Sequence, residues 1–175
     1  DNLICYENVF ETVGNAIREK DSALRFKYSV GNEFLTEYYK GSVKEKVGLI
    51  ATPTEKANGA LTVDGDYIFK DVDEENYQYV DGEVDTTYIT AALYNIGRID
   101  GRMDYNYYAK DYTVRPYIVY NREDGSEFVI YGDAVTANIF DVMYTIKLNG
   151  TNKEDMQIVD AMLDNDALYE IYQNY

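Results

Sequence analysis

The sequence contains no histidine and no tryptophan, one cysteine and two prolines in 175 residues. Without histidine there is no Ser-His-Asp or Cys-His catalysis, no histidine metal site and no imidazole switch near neutral pH. The lone Cys5 excludes an internal disulfide framework. Set between Ile4 and Tyr6 with no cation close in sequence, it reads as a small buried hydrophobe rather than a reactive thiol. Bases are scarce: 16 Lys and Arg stand against 32 Asp and Glu, giving a net charge of −16 and a pI near 4.2. That balance repels phosphate backbones and anionic lipid, so neither nucleic acid nor a membrane surface is an expected partner. No apolar run approaches the ~18–20 residues of a membrane span, so no membrane insertion is expected. The first residues lack a basic-then-apolar signal pattern, which reads as a mature or trimmed stretch of a longer multidomain chain.

Motifs of common enzyme classes are missing as well. There is no phosphate-binding glycine loop, no G-x-S-x-G and no Cys-x-x-Cys. Carboxylates alone remain, and among 32 acids some pair meets any distance rule by chance, so no catalytic residue is assigned. The chain reads as non-catalytic. What it does contain is 46 % hydrophobic residues and 20 tyrosines beside 6 phenylalanines, enough apolar mass for one folded domain over residues 1–175.

Periodicity gives the fold class as mainly β with helical material at the C-terminal end. Leu3, Tyr6, Phe10 and Val13 recur at near-helical spacing, but Val13-Gly14 leads into extended chain. Leu24, Phe26, Tyr28 and Val30 then alternate with polar residues, the period of a strand with one buried face. Residues 16–18 and 23–30 are expected to form a hairpin, with further strands over 43–51, 88–94, 112–120 and 127–131 and short edge strands over 67–69 and 77–80. Residues 64–85 carry nine acids and one base, Lys70. The connection 95–111 is 17 residues long, beyond the ~12–15 usual for structureless loops in compact domains. Val135, Ile139, Val142, Met143 and Ile146 predict a helix ending at Asn149-Gly150. Thr151 and Glu154 fit a capping box for a second helix, and Asp166 is a candidate cap for a last turn.

Gly14-Asn15-Ala16-Ile17-Arg18 followed by Ala23-Leu24-Arg25-Phe26-Lys27-Tyr28 resembles a "G-A-x-I-R … L-R-F" opening. That opening recurs in β-rich modules of large secreted or cell-surface proteins of Gram-positive gut anaerobes. Residues 47–54, 114–118 and 129–133 look like its later landmarks, so the resemblance covers most of the chain from Gly14 to the first C-terminal helix. It implies an Ig-like antiparallel β-sandwich, here over about 13–133, to which the helical periodicity adds one or two C-terminal α-helices over about 135–175. It also implies a secreted or cell-surface location beside polysaccharide-degrading modules. It brings no catalytic or binding residues with it. The 95–111 connection is longer and richer in tyrosine than the pattern, which makes it the place to expect a specialised site.

The leading expectation is carbohydrate binding, with a polysaccharide or oligosaccharide as partner. A tyrosine offers a flat apolar face to a sugar ring, a hydroxyl handle and few rotamers to freeze. The candidate ligand-binding residues are Tyr105, Tyr107, Tyr108 and Asn106 in the long connection, with Tyr77 and Tyr79 on one strand face. Tyr38-Tyr39 is a third patch. The alternative is a protein-protein interaction or spacer module of a multidomain surface protein. No cofactor is expected: the acidic stretch offers oxygens that calcium takes, but no EF-hand spacing closes around them. Arg18, Arg25 and Arg115 are expected to pair with acids across a sheet.

Overall fold

The computed structural model describes residues 9–36 and 38–175. Two antiparallel sheets pack face to face. The first has the order β1-β2-β7-β6, from β1 (Phe10–Arg18), β2 (Ala23–Gly31), β7 (Glu83–Leu93) and β6 (Glu74–Val80). The second has the order β11-β10-β4-β3, from β11 (Glu127–Tyr131), β10 (Tyr112–Asn121), β4 (Ser42–Pro53) and β3 (Tyr38–Tyr39). On that sheet β5 (Ile68–Asp71) also pairs with β4, and β12 (Val135–Ala137) with β10. The expected hairpin forms with Ile17 opposite Leu24. Alternation then does its work: Leu24, Phe26, Tyr28 and Val30 on β2 meet Leu49, Ala51, Val114 and Ile118 of the other sheet in one buried core. Tyr28 ties the layers directly, its hydroxyl donating to the Val114 carbonyl at 3.3 Å.

The chain changes sheets between β5 and β6. Asp73 ties the crossing to β7 and the residue after it. Its N–H donates to the Thr90 carbonyl at 2.8 Å, and its carboxylate accepts from the Ala92 N–H at 2.8 Å and the Tyr94 hydroxyl at 3.0 Å. The acidic stretch is therefore dispersed over several tasks. Asp73 sits at the crossing, Glu74 pairs with Arg25, and Asp71 pairs with Lys46 at 3.5 Å. Among the described residues no three carboxylate or thiol side chains converge as a metal would need. A second, smaller core forms on the outer face of the β4-β10 sheet, where Leu61 covers Ile50, Tyr117 and Val119. Arg115 fastens that cover rather than pairing with an acid. Its guanidinium donates to the carbonyls of Gly132 at 2.8 Å and Leu61 at 3.0 Å, and lies 4.3 Å over the Tyr131 ring.

Besides the short α1 (Asn32–Leu35), the C-terminal segment forms three helices where one or two were expected. They are α2 (Ile139–Asn149), α3 (Lys153–Leu163) and α4 (Asp166–Gln173). Phe140, Met143, Val159, Met162 and Leu168 join the core of the sandwich itself. Val135, expected in the first helix, is instead a strand residue opposite Val114. The helices start one residue away from their expected caps. Asn152, not Thr151, accepts from the Asp155 N–H at 3.0 Å, and Asn165, not Asp166, accepts from the Leu168 N–H at 3.1 Å. Gly150 ends α2 in the left-handed region as expected, at φ +58°. No described helix is long and apolar enough to cross a membrane. Cys5, Leu3 and Tyr6 lie outside the described residues, as does the side chain of Tyr38.

Candidate functional site

The long connection is not one open loop. Its first half is a small hairpin of β8 (Arg98–Ile99) and β9 (Arg102–Met103), turned by Asp100-Gly101 with φ of +49° and +77°. Positive φ at both central residues defines the two-residue turn whose twist suits paired strands. The hairpin is anchored by the Asn95 and Ile96 N–H groups, which donate to the carbonyls of Asp21 and Ser22 at 2.8 and 3.1 Å. Its second half is a 3₁₀ turn, Tyr105–Ala109, capped by the Asp104 carboxylate.

That turn sends its side chains in different directions, so the expected cluster does not exist as one surface. Tyr108 is only 2 % exposed. Its ring meets Phe140 of α2 edge-on at 5.8 Å, and its hydroxyl shares a 2.9 Å hydrogen bond with Ser22. Burial raises its pKa, with the Ser22 bond opposing. Tyr108 is thus a docking residue for the helices and is withdrawn as a stacking platform. Tyr105 packs edge-on against Tyr108 at 5.3 Å and accepts from the Asn165 amide at 3.2 Å. The Asn106 amide is already spent on Asp104 at 2.9 Å, and the residue borders a separate cleft beside Tyr175. Tyr105 and the edge of Tyr108 border a second cleft with Met103, Met162 and Leu168, whereas Tyr107 turns to a different, more tyrosine-rich cleft and is 36 % exposed.

Tyr77 and Tyr79 stand elsewhere again. They are 50 % and 62 % exposed on β6, whose residues are exposed along its whole length. Tyr77 pairs with Thr87, about 20 Å along the extended strand from the Leu93 end where the aromatic cleft lies. Its hydroxyl donates to Glu75 at 2.6 Å. Tyr39 packs against Phe34 and Tyr120.

The cleft beside Tyr107 has a volume of about 410 Å³ and draws its walls from both sheets. Ile68 and Lys70 come from β5, Tyr94 from the residue after β7, Ile99 from β8 and Tyr112 from the start of β10. Three tyrosines therefore converge, two of which composition alone did not single out. Tyr94 is held in place: its hydroxyl donates to Asp73, and the Lys70 ammonium lies 5.1 Å over its ring. Burial and then the Asp73 carboxylate raise its pKa, so it stays a neutral phenol. Lys110 lies 5.6 Å over the Tyr107 ring and is itself paired with Glu55 at 3.1 Å. Ile68 and Ile99 add exposed apolar surface between the rings. Such a shelf suits a ligand with flat apolar faces and peripheral hydroxyls.

No family model, curated protein or solved structure matches the chain. The site is accordingly read from its own geometry. The sequence carried one signal for it, Ile68, a large aliphatic residue in an acidic stretch; Phe69 beside it does not line the cleft and packs edge-on against Tyr117 at 6.3 Å. The convergence of Tyr94 and Tyr112 depends on β7 and β10 lying in different sheets, which sequence spacing does not reveal.

Proposed function

We propose that this protein is a non-catalytic, extracellular carbohydrate-binding module on an immunoglobulin-like sandwich. Its glycan lies over Tyr94, Tyr107 and Tyr112. The strand order supports the fold reading. With the main strands β1, β2, β4, β6, β7, β10 and β11 lettered A to G, the sheets run A-B-E-D and G-F-C, the order of an immunoglobulin constant-type domain. The carrying observation for function is the tyrosine-walled cleft, open to solvent and bordered by exposed isoleucines.

Affinity electrophoresis through gels containing a panel of polysaccharides tests this. Tyr107→Ala and Tyr94→Ala should each weaken retardation by about tenfold in affinity, the scale of one aromatic contact. Tyr77→Ala, on the far strand, should change nothing. Unchanged retardation of the Tyr94/Tyr107 double variant sinks the site, and no retardation by any polysaccharide sinks the function.

One observation favours the interaction-module reading: β6 is an edge strand, exposed on both faces, with Tyr77, Tyr79 and Val80 uncovered. An edge of that kind is a template for an added strand. Loss of a protein partner on placing a proline at Gln78 would support this second reading.

A further inference from the structure

We infer that the sugar taken by this cleft is acidic: a hexuronate unit whose carboxylate is drawn to Lys70 and Arg98 while its ring lies on the tyrosines. This rests on the glycan-binding reading above. The chain has twice as many acids as bases, 32 against 16, yet among the described residues no Asp or Glu lines the cleft. Its two charged walls are Lys70 and Arg98. Neither has a carboxylate within ion-pair distance among the described residues, whereas Arg25, Lys46, Lys110 and Lys147 do. Lys70 is, moreover, the single base of the acidic 64–85 stretch. On a chain of net charge −16, a cleft whose charged walls are both cationic is a local reversal of sign beside an aromatic shelf. A neutral sugar has no use for that reversal. A carboxylate does, because charge-assisted hydrogen bonds to ammonium and guanidinium groups are the strong ones.

The net charge of −16 sets the range over which this recognition works. Repulsion between the chain and an anionic ligand is screened beyond about 8 Å at physiological ionic strength, whereas contacts inside the cleft are not. Short oligomers therefore suit the test better than polymers. Titration calorimetry at 0.15 M salt would compare trimers of galacturonate, mannuronate and glucuronate, each beside its methyl ester, which keeps the ring and removes the charge. At least one acid trimer should bind about tenfold tighter than its ester. Lys70→Gln and Arg98→Gln should each erase most of that difference, so that acid and ester come to bind alike. Equal binding of acid and ester overturns the inference, and so does an acid preference that survives both substitutions. If neutral polysaccharides are retained but no uronate trimer binds, this inference falls and the glycan-binding reading stands. If nothing is retained at all, both fall.

Discussion

Gly97 combines two constraints that only glycine meets. Its φ is +81°, and a Cβ there would lie 2.6 Å from the Asp104 carbonyl oxygen, while the Gly97 carbonyl accepts from the Asp104 N–H at 2.7 Å and closes the hairpin. Gly97→Ala should therefore cost about 2–4 kcal/mol, read as a lowered urea midpoint, with a loosened cleft wall at Ile99. The neighbouring tyrosines separate by the same kind of measurement. Tyr108→Ala removes a buried ring between Ser22 and Phe140 and should cost about 3–5 kcal/mol. Tyr108→Phe keeps the ring and loses one buried hydrogen bond, about 1 kcal/mol. Tyr107→Ala should change stability by less than about 1 kcal/mol, as expected of a ring outside the buried core, while weakening glycan retention. A large stability loss on removing Tyr107 would make it a packing residue and end its role in the site.

At the level of elements, Asn138 is where strand hands over to helix. It is 1 % exposed and caps α2 by accepting from the Asp141 N–H at 2.7 Å. Its amide donates to Asp111 at 2.7 Å, Asp141 at 3.0 Å and the Tyr175 hydroxyl at 3.1 Å, so it also ties the last residue to the sandwich. Asn138→Ala should lower stability by about 2–3 kcal/mol, the sum of a lost cap and an uncompensated buried cluster. A melting temperature within a degree of the parent would show that the cap is dispensable. The same residue shows what was legible in the sequence. β2, whose apolar residues have a clean period of two, lies where alternation places it. The helical period starts too early because Val135 falls at helical spacing from Ile139. The β-branched pair Val135-Thr136 and the asparagine after it were the contrary signal. All three C-terminal helices begin at asparagine caps, Asn138, Asn152 and Asn165. Thr151 and Asp166 are equally good cap residues one step away, and local chemistry alone does not choose between such neighbours. The site was less legible than the fold. Tyr105, Asn106, Tyr107 and Tyr108 are adjacent in sequence, but a 3₁₀ turn rotates each successive side chain by about 120°, which scatters them between core, helix and cleft.

For the whole molecule, composition makes alkaline pH the informative axis. Carboxylates ordinarily titrate near ~4 and tyrosines near ~10, and with no histidine the described fold has no side chain that changes charge between them at its usual value. The buried phenols lie at the upper end. Burial, and then the Asp133 charge, pushes the Tyr28 hydroxyl well above the ordinary range. Burial does the same to Tyr120, whose hydroxyl donates to the Phe34 carbonyl. A folded-state pKa above the unfolded one means that the neutral phenol is favoured by the fold. That stabilisation is fully present below about pH 10 and is lost as pH rises through the folded values. Stability should thus be nearly flat from about pH 6 to 9 and collapse above 10. Ultraviolet titration of the 20 tyrosines should show two stages: exposed phenols ionising gradually, then an abrupt step coinciding with loss of far-ultraviolet circular dichroism. Tyr28→Phe removes one buried phenol that must ionise, so its abrupt step should move to higher pH relative to neutral-pH stability. A single smooth titration with the circular dichroism intact would mean that the buried hydroxyls reach solvent without unfolding, and the two-layer core would not be as closed as its packing implies.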